Sequence, residues 1–180
     1  MNILIVVDMQ RDFVDRALGT PEAAAIVPAV AEKIRSYADR GDPIFVTRDT
    51  HSENYLDTQE GKNLPVIHCV RDTPGWELDD AVAAALPSYA VTVDKPTFGS
   101  VKLPELIGEF VAVNGAENVH AEIIGLCTDI CVVSNALLLK AHFPEMPISL
   151  DAKCCAGVTP EKHAAALDTM ASCQIRIDNR

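Results

Sequence analysis

Apolar and polar positions fall along this chain in blocks of two kinds, short unbroken runs and longer periodic ones. Residues 3–7 form a continuous aliphatic run, the pattern of a strand covered on both faces. From about residue 22 to 39, Ile26, Val30, Ile34 and Tyr37 recur at helical spacing, and Gly41 follows as a stop. Residues 43–47 read as a second strand. The stretch from Arg48 to about Gly75 is polar and keeps no period, which inside a compact domain points to function. Beyond it the pattern predicts helices near 77–86, 104–114, 129–142 and 160–172. Strands are predicted at 89–93, 121–126, 147–150 and near 174–177.

Strand and helix alternating in this way predict an α/β fold, a parallel sheet of about six strands with helices on both faces. This is a Rossmann-like α/β/α sandwich, expected as one domain over residues 1–180. No repeat, linker or low-complexity tract interrupts it.

Composition narrows the function classes. Hydrophobic residues make up 48% and aromatic residues 5%, which suits an aliphatic core. A net charge of −11 argues against a nucleic-acid surface or an anionic-membrane binder, both of which need clustered Lys and Arg. No apolar run approaches the roughly 20 residues of a membrane span. The first residues carry no basic leader or cleavage site, so a cytoplasmic location is expected. Six cysteines are present, but Cys127 and Cys131 are spaced C-x3-C and Cys154 and Cys155 are adjacent. Neither spacing makes paired zinc knuckles, so most of these thiols are expected to be buried small hydrophobes.

In open parallel sheets, sites form beyond the carboxyl ends of the strands. Asp8, Asp49, Lys95 and the segment Cys127–Cys131 all follow predicted strands, so four chemically capable segments converge on one rim. Cys131 falls at the predicted opening of a helix, where the dipole lowers a thiol pKa and backbone N–H groups can face an oxyanion. The alternative is a cysteine that packs the first turn. Asp8 reads as a general base, a metal ligand or a helix cap. Lys95 reads as an exposed lysine or as a partner of Asp8 that favours a nearby thiolate.

Three segments together carry a more specific signal: Asp8-Met9-Gln10-Arg11-Asp12-Phe13, then Lys95, then Gly125-Leu126-Cys127-Thr128-Asp129-Ile130-Cys131-Val132. In this order they resemble the isochorismatase-like hydrolases, and within them the nicotinamidase branch. The resemblance implies an Asp8–Lys95–Cys131 triad and hydrolysis of a small carboxamide, nicotinamide to nicotinate and ammonia, through a cysteine thioester. It further implies an oxyanion hole from the N–H groups of Cys127 and Cys131, and a cis peptide between Leu126 and Cys127. It also implies a divalent metal, commonly zinc, on Asp49, His51 and His68, which bare spacing leaves as surface polar residues.

The pattern departs from that branch where Leu64-Pro65 replaces an aromatic Trp-Pro, and Asp57 falls where some relatives place another histidine. Phe13, Leu64 and Phe98 are then the expected substrate contacts, with core packing as the alternative for the two phenylalanines. His120, His142 and His163 fit no site pattern and are expected on the surface or on helices. The partner expected is a small amide, and the resemblance suggests a homo-oligomer. Competing readings are an isochorismatase-type vinyl-ether hydrolase, a carbamoyl-amide hydrolase, and a non-catalytic binding or thiol-redox module built on the same scaffold.

Overall fold

The structure is a computed structural model that describes residues 1–180. Six parallel strands form one sheet in the order β3-β2-β1-β4-β5-β6. They are β1 (Asn2–Val7), β2 (Ile44–Asp49), β3 (Val91–Lys95), β4 (His120–Leu126), β5 (Ile148–Ala156) and β6 (Arg176–Asp178). The helices are α1 (Arg11–Val14), α2 (Pro21–Arg40), α3 (Gln59–Asn63), α4 (Asp80–Ala85), α5 (Lys102–Asn114), α6 (Val133–His142) and α7 (Pro160–Ser172). The expected α/β architecture is therefore the one observed. No helix is long and apolar enough to cross a membrane.

The aliphatic run of β1 explains the two layers. Ile3, Ile5 and Val7 point into a core shared with α5, α6 and α7, whereas Leu4 and Val6 point into a core shared with α1, α2 and α4. All five are completely buried, and burying each such side chain stabilises the fold by about 1.5–3 kcal/mol. The helices begin and end where their caps dictate. Thr20 Oγ1 accepts the Ala23 N–H before Pro21, and Gly41 closes α2 in the left-handed region at φ 70°.

Three element boundaries differ from the expected ones for a shared reason: buried polar residues sit inside strands. β2 runs on to Asp49 and β3 to Lys95, whose backbones pair directly. β5 extends from the expected 147–150 through Ala156, because Asp151 is satisfied by Lys33 Nζ at 2.8 Å and Asn179 Nδ2 at 3.0 Å. The helix expected at 129–142 opens instead as a π-type turn over Thr128–Val132, with the Val132 N–H reaching back to the Cys127 carbonyl at 3.1 Å.

The order of strands reverses between β1 and β4, so a crevice opens there beyond their carboxyl ends. Gly125 makes the close approach possible. It pairs with Val7, has φ 116°, and any Cβ there would overlap the Val7 carbonyl oxygen. Asp8 leaves β1 at this point with φ 47°, an uncommon conformation for a non-glycine residue.

Candidate active site

Asp8, Lys95 and Cys131 meet at the switch point, all nearly or fully out of water. Lys95 Nζ lies 2.7 Å from Asp8 Oδ2, 3.4 Å from Cys131 Sγ and 3.7 Å from Asp49 Oδ1. The Thr47 hydroxyl donates to Asp8 Oδ1 at 2.7 Å, while Asp8 Oδ2 has no aligned hydrogen-bond donor. Asp8 is thus not a helix cap, and Lys95 is not an exposed lysine. Burial raises the Asp8 pKa against the opposing pull of Lys95, and Asp49 adds to the rise. Lys95 is held charged, because Asp8, Cys131 and Asp49 outweigh the cost of its burial.

The structure corrects the expected state of Cys131. A helix dipole was expected to lower its pKa, but burial, followed by the Asp8 charge, raises it well above the ordinary thiol value. Lys95 opposes this without reversing it. The side chain also sits within the π-type turn and not in the first turn of α6. Burial thus favours the protonated thiol on this cysteine, beside Asp8.

The turn itself is anchored at both ends. The Cys127 carbonyl accepts from the N–H groups of Ile130 and Val132, and the Cys127 N–H donates to no backbone carbonyl. Asn135 is completely buried. Its Nδ2 donates to the Cys131 carbonyl at 2.8 Å and its Oδ1 accepts the Ser100 N–H at 2.9 Å, tying the Cys131 turn to the loop that follows β3. All peptide bonds are trans, so the cis bond expected between Leu126 and Cys127 is absent. Cys127 takes an ordinary extended conformation (φ −85°, ψ 143°), which the turn accommodates without that costly isomer. Burial raises the Cys127 thiol to about 12.

Beside this group lies a second cluster. One ligand atom from each of Asp49, His51, Glu60 and His68 falls within 4.8 Å of the others. His51 Nε2 stands 3.0 Å from Asp49 Oδ2 and 3.7 Å from Glu60 Oε1, and His68 Nε2 stands 3.6 Å and 3.9 Å from the same two atoms. Glu60 was missed by sequence reasoning, which named Asp49, His51 and His68. It comes from α3, whose one local signal is the Thr58 hydroxyl that accepts the Gly61 N–H.

The cluster has the marks of a cation site. His51 Nε2 is buried with no hydrogen-bond partner. His68 Nδ1 lies 2.7 Å from the Val66 carbonyl, which leaves its Nε2 lone pair for the cluster. Burial alone would raise the Asp49 pKa, but the adjoining His51 and His68 rings and the Lys95 charge hold it below the usual carboxylate range. Gln10 explains the D-x-Q spacing: its side chain accepts the Asp49 N–H at 2.7 Å and donates to the carbonyls of Asp49 and Trp76 at 2.8 and 2.9 Å. Two imidazole nitrogens and two carboxylates suit a borderline divalent ion such as zinc.

Both groups open on one cavity of about 760 Å³, whose lining includes Cys127, Cys131, Asp49, Glu60 and His68. The expected contacts Phe13, Leu64 and Phe98 line it too. Phe13 also packs its edge on the His68 ring at 5.4 Å, so it serves core and cavity at once. Trp76 is buried against Arg48 and supplies no wall. Among the remaining cysteines, Cys69, Cys154 and Cys155 are buried, Cys173 is exposed, and none is bonded to another. His142 is an exposed helix residue as expected, and His163, also on a helix, contacts the Cys131 turn through Thr128.

Comparison with known proteins identifies the family. Residues 2–178 match the family model described as the isochorismatase domain. A nicotinamidase of Schizosaccharomyces pombe is 25% identical over 208 residues, covering 97% of this chain and 91% of that protein. The crystal structure of a pyrazinamidase of Pyrococcus horikoshii in complex with zinc superposes with a TM-score of 0.81 at 34% identity, covering 98% of this chain and 97% of that one. A pyrazinamidase/nicotinamidase of Streptococcus mutans gives a TM-score of 0.83 at 25% identity, covering 98% and 99%. The chain belongs to the isochorismatase family, as an amidohydrolase of its nicotinamidase branch.

Proposed function

We propose that this protein hydrolyses nicotinamide or a closely related heteroaromatic carboxamide to the acid and ammonia, with Cys131 as nucleophile, Asp8 as proton carrier and Lys95 as their electrostatic partner. The observation that carries the reading is the meeting of Lys95 Nζ with both Asp8 and Cys131, where Cys131 lines the same cavity as Asp49, Glu60 and His68 of the cation cluster.

The chemistry follows from the protonation states. Asp8 removes the Cys131 proton as sulfur attacks the carboxamide carbon, so the thiolate forms only when it is used. The carbonyl oxygen becomes an oxyanion and is received by the N–H groups of Cys127 and Cys131. Collapse breaks the C–N bond, and ammonia leaves with the proton from Asp8. Water then attacks the thioester, giving one proton to Asp8, which returns it to the Cys131 sulfur as the acid departs. Lys95 stays protonated throughout, balancing the charge as it shifts between Asp8 and sulfur.

Asp49, His51, Glu60 and His68 would hold a divalent ion, most readily zinc. Such an ion supplies a Lewis-acidic contact for a ring nitrogen. Phe13, Leu64 and Phe98 contribute the apolar walls that favour a ring over an aliphatic amide.

Ammonia release from nicotinamide, pyrazinamide and ureidoacrylate, and pyruvate release from isochorismate, each with and without chelator, test the proposal. Turnover of the two heteroaromatic amides that falls on chelation and returns with zinc is the expected result. Chelator-insensitive activity on a ureido substrate alone would contradict it.

A further inference from the structure

Thr128 and Asp129 lie between Cys127 and Cys131, the two residues whose N–H groups are to receive the oxyanion. Both are held from behind by the β5–α7 connection. The Thr128 side chain is completely buried, and its hydroxyl lies 2.8 Å from His163 Nδ1 on the first turns of α7. Asp129 Oδ1 accepts the Val158 N–H at 2.9 Å. Gly157 leaves no slack: a Cβ there would stand 2.8 Å from both Asp129 Oδ1 and the His163 nitrogen. His163 is fixed in turn, since its own N–H donates to the Thr159 carbonyl at 2.9 Å and Thr159 caps α7.

These contacts have a consequence for the reaction. A hydroxyl fixed at Thr128 anchors the chain on the C-terminal side of Cys127, so the preceding peptide, which carries the Cys127 N–H, has less freedom to swing, and an oxyanion donor is effective only when aimed in advance. Burial and Arg180 lower the His163 pKa against the pull of Asp129, so the ring is neutral and can exchange one hydrogen bond with the hydroxyl.

We propose that His163 is a positioning residue that acts through Thr128 to aim the Cys127 N–H at the developing oxyanion. The role rests on the cysteine-amidase reading above. It sits outside the triad and the cation cluster, and the cavity lining does not include His163.

His163→Leu removes the hydrogen bond, whereas His163→Asn places an amide near the position of Nδ1. Losing an oxyanion donor outright costs about 10²–10³ in kcat, so a misaimed one should cost at least about tenfold. His163→Leu is expected to lower kcat by that amount with KM nearly unchanged, and His163→Asn to recover most of it. Alkylation of Cys131 by chloroacetamide builds no oxyanion on the turn and should be equally fast in the wild type and both variants. Activities are taken per folded protein, from thermal melts. Thr128→Val removes the same hydrogen bond and should reproduce the loss if His163→Leu does not fold.

Wild-type kcat in His163→Leu or Thr128→Val overturns the proposal. So does a loss that His163→Asn fails to restore, or an equal loss in the alkylation rate. A wild type that turns over no amide overturns the amidase reading itself, and this role with it.

Discussion

Lys95 Nζ stands 2.7 Å from Asp8 Oδ2, with the two side chains 1% and 0% exposed. Two opposite charges so deeply buried are costly to assemble, and replacing them with apolar groups is often no worse for stability. Their placement beside a protonated thiol explains their presence better than stability does.

Asp8→Asn should leave the pair's shape but remove the base. A loss of about 10²–10⁴ in kcat is expected, the ordinary contribution of a general base. The pH profile of the wild type gives the sign. The Asp8 pKa is raised above 3.8 and only its ionised form accepts the thiol proton. kcat/KM should therefore fall on the acid side through a value higher than that of a free aspartate. A profile flat down to the ordinary carboxylate value would argue that Asp8 is not the base.

The cation cluster predicts a metal stoichiometry. Purified protein loaded with zinc should retain about one ion per chain by elemental analysis. His51→Ala should lose it, and Glu60→Gln should weaken binding at least about tenfold, by analogy with other ligand-shell losses. Full retention in Glu60→Gln would reduce the site to Asp49, His51 and His68.

Away from the site, Lys33 bridges Glu122 Oε1 and Asp151 Oδ2, each at 2.8 Å, and Tyr37 donates to Glu122 Oε2 at 2.6 Å. Lys33→Met would leave two buried carboxylates facing each other, at a cost of about 3 kcal/mol near neutral pH. In the wild type burial works to raise the Asp151 pKa, but the Lys33 and Asn179 hydrogen bonds hold it below 3.8. That stabilisation is present above the unfolded carboxylate value and is lost as pH falls through the folded one. The melting-temperature gap between variant and wild type should therefore narrow as pH drops toward and below 4. A gap independent of pH would contradict the pairing.

What could be read from residues alone follows from what periodicity reports. The aliphatic run of β1 and the spaced apolar positions of α2 declare themselves because their partners are other apolar groups. Asp49, Lys95 and Asp151 hid the true ends of β2, β3 and β5, since a polar residue in a strand is legible only once its partner is known. Glu60 lay in an unperiodic stretch on a helix of one turn. It meets His51 and His68 only in the folded chain, where Tyr55, on the turn before α3, packs against both rings at 4.6 and 5.0 Å. The rise in the Cys131 pKa had no signal in the sequence, because burial depth is a property of the folded chain. His163 gave no signal, as its partner lies 35 residues away.

Intact-mass spectrometry of rapidly quenched protein mixed with nicotinamide tests whether a thioester forms on Cys131. A transient mass increase of one nicotinoyl group, mapped to the peptide containing Cys131, is expected. Cys131→Ala should fold but give neither adduct nor ammonia. Ammonia release by Cys131→Ala at a rate near that of the wild type would exclude Cys131 as the nucleophile.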